Sequence, residues 1–123
     1  MIASVQTLGV VMPARYLPER ARLDVHQFQR MGEAGILDPD ARVELVDGEL
    51  LNMAPIGPRH AFAVATLARL LGRAAGEDEL FVTSQSPVIL SRFSEPQPDV
   101  LVLRGPVRRY CQQTPRAEDV IVL

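Results

Sequence analysis

The side chains of this 123-residue chain best suited to chemistry are three carboxylates and one histidine. Glu95-Pro96-Gln97-Pro98-Asp99-Val100-Leu101-Val102-Leu103 sets Asp99 at the mouth of an apolar strand, behind two prolines. Proline fixes its own φ and holds the residue before it out of the helical region, so the approach is stiff and extended. Glu44 and Glu49 flank an Asp47-Gly48 pair, and His60 stands near the start of a helical segment. An oxygen-rich set of this kind suits a hard divalent ion, Mg²⁺ or Mn²⁺. The matching reaction is phosphodiester hydrolysis, in which the ion polarises a phosphoryl oxygen and acidifies an attacking water. Each group also has a plain structural reading: Asp99 as a solvated strand end, the two glutamates as a solvated hairpin face, His60 as a hydrogen-bonded core residue.

The cationic side has a gap. All thirteen basic residues are arginine and none is lysine. A guanidinium stays charged and is a rigid fork, so it substitutes poorly for a lysine that steers or exchanges protons with a nucleophilic water. A net charge of −2 gives no global basic footprint. Any nucleic-acid contact must then rest on local clusters, and Arg104, Arg108 and Arg109, in a turn-rich loop that runs to Arg116, are the candidates. Cys111 stands alone, which excludes an internal disulfide and a cysteine metal site; it reads as a half-buried free thiol. The first residues lack a positive segment, and no apolar run approaches the ~20 residues that span a bilayer. The expectation is a cytoplasmic protein with no membrane contact. A 47% hydrophobic and 23% charged composition fits one folded domain and excludes disorder.

These groups need a scaffold. Residues 1–22 mix apolar residues with Pro13 and Pro18 without periodicity and read as a loosely attached arm; residues 23–123 read as the domain. Asp24 and Gln27 form a capping-box pair for a helix carrying Val25, Phe28 and Met31, running to about Ala34 and closed by Gly35. His26 falls in its first turn and faces solvent. Arg42–Val46 and Glu49–Met53 around Asp47-Gly48 predict a hairpin, because both turn residues must tolerate positive φ. A two-residue loop pairs Val46 with Glu49, Leu45 with Leu50 and Glu44 with Leu51, which puts Glu44 and Glu49 on one face. Pro58 suits the first turn of a long helix to about Ala75, with His60, Val64, Leu67 and Leu71 on an inward stripe. Leu80–Thr83, Pro87–Leu90, Asp99–Leu103 and Val120–Leu123 read as strands. The unbroken apolar run of the third marks it as central.

Glu44-Leu45-Val46-Asp47-Gly48-Glu49-Leu50, the Pro58-Arg59-His60 helix start and Pro96-Gln97-Pro98-Asp99-Val100 together resemble the successive motifs of the Uma-type restriction endonuclease family, over roughly residues 23–123. The resemblance implies an α/β (α+β) mixed sheet with flanking helices, the restriction-endonuclease-like PD-(D/E)XK core. It implies a Mg²⁺-dependent (or Mn²⁺-dependent) hydrolase acting on DNA. By the same likeness Glu44 and Asp99 match acidic, metal-binding positions of the active site, with Glu49 and His60 beside them. Family members continue past the strand at Val120–Leu123 with a glutamate-bearing strand and a lysine, so the expectation is a C-terminally truncated core, weakly active or inactive. Its unpaired edge strand invites a homodimer or a complementing C-terminal segment. The alternative is a non-catalytic nucleic-acid-binding module or structural remnant on the same scaffold.

Overall fold

The computed structural model describes residues 17–76 and 79–123, so most of the expected arm, residues 1–16, lies outside the described residues. Helix α1 (Val25–Glu33) starts as the sequence predicts. The Asp24 carboxylate accepts the Gln27 N–H at 2.8 Å, and the Gln27 side-chain oxygen accepts the Asp24 N–H at 2.9 Å. This satisfies two of the orphan donors of a helix start. Past the Ala34 cap, Gly35 takes φ +73°.

Strands β1 (Val43–Val46) and β2 (Glu49–Asn52) form the hairpin in the expected register. Its turn places Asp47 at φ +49° and Gly48 at φ +83°, a type I′ geometry. Gly48 is constrained a second way, because a Cβ there would lie 2.6 Å from Cβ of Arg22. Arg22 itself reaches across the turn, with its guanidinium 3.8 Å from the Phe93 ring centre and an ion pair to Asp47. The described end of the expected arm, residues 17–22, is thus clipped to the hairpin tip.

Helix α2 (Pro58–Ala75) carries proline in its first turn and ends at Gly76, φ +76°. It packs on β3 (Leu80–Ser84) and β4 (Val100–Arg104). With β5 (Val120–Val122) these make an antiparallel sheet of order β3-β4-β5, so β4 is central as its apolar run implies. Leu101 and Leu103 are fully buried against Val88, and Phe81, Tyr110 and Val120 close over them. Each such leucine contributes about 1.5–3 kcal/mol by leaving water.

The two sheets meet at the stretch leading into β4. Glu95 donates its N–H to the Leu45 carbonyl of β1 at 2.8 Å, while the Pro96 carbonyl accepts from Val88 at 3.0 Å. Residues 95–99 are therefore a strand-like bridge with the hairpin on one side and residues 85–88 on the other. Prolines 96 and 98 remove two donors, which is why the bridge is not a regular ladder.

Three expectations need correction. Pro87–Leu90 is no strand: Val88, Ile89 and Leu90 donate to Pro96, Pro115 and Ser94 respectively, three separate partners, and only one parallel bridge, Ile89 to Arg116, results. The inward stripe of α2 is turned by about one residue, to Ala61, Val64, Ala68, Leu71 and Ala75. Those alanines let the helix lie close to the sheet and leave His60 and Leu67 at its exposed flank. Cys111 is exposed and not half-buried, because it follows a 3-10 turn (Val107–Tyr110) on the surface.

Gly48→Ala forces a β-carbon into both a left-handed backbone and the Arg22 stem. It should destabilise the fold by about 2 kcal/mol, read as a lower urea midpoint at unchanged slope.

Candidate active site

Asp99 lies just before β4 and His60 in the first turn of α2. Packing of α2 on the sheet brings them together, with His60 Nε2 3.1 Å from Asp99 Oδ1. Their side chains are 47% and 50% exposed, so the pair is open to a large ligand. A carboxylate on one ring nitrogen fixes the orientation of an imidazole and leaves the other nitrogen for a substrate or proton.

Glu44 sits on the opposite side of the same approach. It is 6% exposed, and its Oε1 accepts the Gln97 N–H at 2.6 Å. Gln97 is the sole backbone donor between Pro96 and Pro98, and it is two residues from Asp99. Across an extended segment two residues span about 7 Å, so Glu44 holds the chain within one step of Asp99. Register places Glu49 on the Glu44 face, but its carboxylate is half-exposed at the turn end of the ribbon and is taken by an ion pair to Arg20. Asp99 and His60 thus pair directly, Glu44 reaches the backbone of Gln97 two residues from Asp99, and Glu49 stands apart.

The arginine loop divides likewise. Arg104 and Arg108 are exposed, whereas Arg109 Nη2 lies 3.4 Å from Asp119, whose side chain is only 10% exposed. Asp119 also accepts the Arg116 N–H at 3.0 Å, so Arg109 is part of a structural tie that holds the loop against β5.

Two residues beside the site escaped the sequence reading. Gln85 follows β3 at φ +49° and shares its N–H between the carbonyls of Pro98 at 3.0 Å and Asp99 at 3.1 Å. Its side-chain nitrogen is buried with no hydrogen-bond partner among the described residues. No local pattern marks a glutamine for left-handed backbone. Glu95 is 5% exposed and accepts one hydrogen bond, from Gln29 Nε2 of α1 at 2.7 Å. Its bridge partner Leu45 is completely buried, and because that partner is distant in sequence no local pattern marks Glu95 as buried.

The donors near residues 97–99 are hard oxygens, and Asp99 and Glu44 each keep one carboxylate oxygen outside the contacts above. Among the described residues no group of three or more His, Cys, Asp or Glu side chains is arranged to hold a metal ion. Oxygens of this kind are the donors a Mg²⁺-type cation takes through one or two carboxylates, with water and phosphate completing its shell.

Burial pushes the Glu95 carboxyl above the ordinary 4.5, against a smaller lowering by the Gln29 hydrogen bond. The folded state then holds its proton more tightly than the unfolded chain does. As pH rises from 4.5 through the folded pKa, ionisation of this group costs stability. Glu95→Gln should raise the melting temperature at pH 7, and the gap should close as pH falls below 4.5, checked by thermal unfolding across pH.

No curated protein and no solved structure matches the chain closely enough to count as a relative. A family model does match, over residues 25–122, which takes in both α-helices and all five strands of the described residues and every residue placed above at the bridge into β4. Its helices and two antiparallel sheets are of the mixed α/β class that the restriction-endonuclease-like fold of that family implies. The chain belongs to the Uma2 family, described as "Putative restriction endonuclease".

Proposed function

We propose that this protein hydrolyses phosphodiester bonds of DNA with the help of Mg²⁺ or Mn²⁺, using Asp99, His60 and Glu44. The single observation that carries the reading is the Asp99–His60 pair, 3.1 Å apart and half-open to solvent at the start of the central strand. Asp99 orients His60, and His60 presents its second ring nitrogen to a phosphate oxygen or to the proton of an attacking water. The α2 start beside it has no side-chain cap, so its free N–H groups and dipole favour a phosphate there. Asp99 and Glu44, each through its second oxygen, would hold the cation. When bound, that ion supplies charge stabilisation at the phosphoryl oxygen and a more acidic water.

A second reading is DNA binding without chemistry, through the exposed Arg104 and Arg108. It is favoured by one observation: among the described residues neither is paired with a carboxylate. Such binding would fall steeply with salt, and removing one arginine would lower the salt slope by about 1.

Supercoiled-plasmid nicking separates the two. The wild-type chain should nick in Mg²⁺ and stop in EDTA, and Asp99→Asn should lower the rate by about 10²-fold. Nicking unchanged by Asp99→Asn would remove the enzymatic reading. Salt-sensitive DNA retention indifferent to Mg²⁺ and to that substitution, with no nicking, would establish the second.

A further inference from the structure

Helix α2 carries a second apolar stripe that the fold leaves in water. Its inward stripe rests on β3 and β4, yet Leu67 and Leu70 on the flank are 49% and 52% exposed, with Ala63 and Ala74 exposed on either side of them. At 100° per residue these four fall within about 60° of arc, turned about 110° from the stripe that meets the sheet. Four, three and four residues separate them in turn, which is the a/d repeat of a helix that packs lengthwise on another helix.

The order of residues along the seam identifies its occupant. From either end it reads Ala-Leu-Leu-Ala, so an antiparallel copy of the same helix matches it layer by layer. Ala63 of one copy meets Ala74 of the other and Leu67 meets Leu70, about a two-fold axis between residues 68 and 69. Alanines in the outer layers let the helices approach, and leucines fill the two layers beside the axis. Charge agrees with this register. Arg73, at the edge of the seam, falls opposite Thr66 of the other copy, and Arg59 at the start of one helix comes to the end of the other, where Glu79 is exposed. The helix dipoles also oppose each other in an antiparallel pair, whereas like ends meet in a parallel one. We infer that α2 is a dimerisation helix, with a second copy of this chain packed antiparallel on Ala63, Leu67, Leu70 and Ala74. His60 continues the repeat one turn before Ala63, but its layer falls beyond Ala75 of the other helix, so the Asp99–His60 pair stays at the open end of the interface. Dimer formation is independent of the nuclease reading. Four layers of one helix pair bury less than the roughly 800 Å² per partner of a standard interface, so the dimer is reversible, with a Kd on the order of 10 μM.

Sedimentation equilibrium of the full chain between about 1 and 100 μM should show the average mass rise from that of one chain toward that of two. Leu70→Glu sets a carboxylate in both leucine layers and should raise the Kd by about 100-fold or more. Because Leu70 is half-exposed, the variant keeps its fold, checked by circular dichroism. Phe62 is 73% exposed but lies about 110° round the helix from the seam, so Phe62→Ser should leave the Kd within about twofold. Cross-linking reads the orientation and does not depend on Leu70. In a Cys111→Ser background, Ala63→Cys mixed with Ala74→Cys should give a disulfide-linked dimer on mild oxidation. Either variant alone should not, because antiparallel pairing holds the two copies of position 63 about 16 Å apart. A chain still monomeric at about 100 μM would leave the seam to a helix of some other protein and overturn the inference. Association unchanged in folded Leu70→Glu, association lost in Phe62→Ser, or cross-linking by either cysteine variant alone would overturn it equally.

Discussion

One hydrogen bond governs the geometry of this molecule: the Glu44 carboxylate accepting the N–H of Gln97 at 2.6 Å. Prolines on both sides leave Gln97 as the only donor in the Pro-Gln-Pro stretch, and Glu44 is almost wholly buried when it meets that donor. A buried carboxylate without a partner is costly, and the Gln97 N–H removes that penalty for Glu44. Because it joins β1 to the entrance of β4, it also fixes where Asp99 emerges relative to the hairpin. The backbone bonds of Glu95 to Leu45, Val88 to Pro96, and Gln85 to Pro98 and Asp99 complete a frame around the same five residues. The stretch is thus held by the hairpin at Glu95 and Gln97 on one side and by Gln85 and Val88 on the other, with Gln85 bonded to the Asp99 carbonyl itself.

Local chemistry explains what was legible beforehand. The Asp47-Gly48 turn, the Asp24–Gln27 capping box and the unbroken run after Asp99 each encode their structure within a few residues, and each is found as read. What was not legible depends on partners distant in sequence. Pro87–Leu90 has strand-like composition, yet its N–H groups are divided between two segments, residues 94–96 and Pro115, and composition carries no information about that choice. The stripe of α2 joins Val64 and Leu71, which large apolar side chains mark, to Ala61, Ala68 and Ala75, which close helix–sheet contact selects in place of His60 and Leu67. That rotation is what moves His60 out of the core and within reach of Asp99. Gln85 had no signal at all, since its left-handed conformation is imposed by two carbonyls that lie across the sheet.

The same frame sets the limits of the chemistry. Asp99 and His60 are open to a phosphate, Glu44 is nearly closed off, and Glu49 is engaged with Arg20 at the hairpin tip. The basic side chains of the sequence are all arginine, and Arg109 is tied to Asp119. Orientation and charge stabilisation are separable contributions to rate. Buried Glu95 sits on the other face of β1, bonded to α1 through Gln29, and couples helix docking to the charge state of one carboxyl.

Amide hydrogen exchange at Gln97 probes the Glu44 clamp most directly. The structure requires this N–H to be protected in the native chain and to exchange about 10-fold or more faster in Glu44→Ala, while amides in the core of β4 such as Leu103 keep their protection. A Gln97 amide that exchanges at the unstructured rate in the native protein, or that is unaffected by Glu44→Ala, would contradict the clamp and with it the positioning of Asp99.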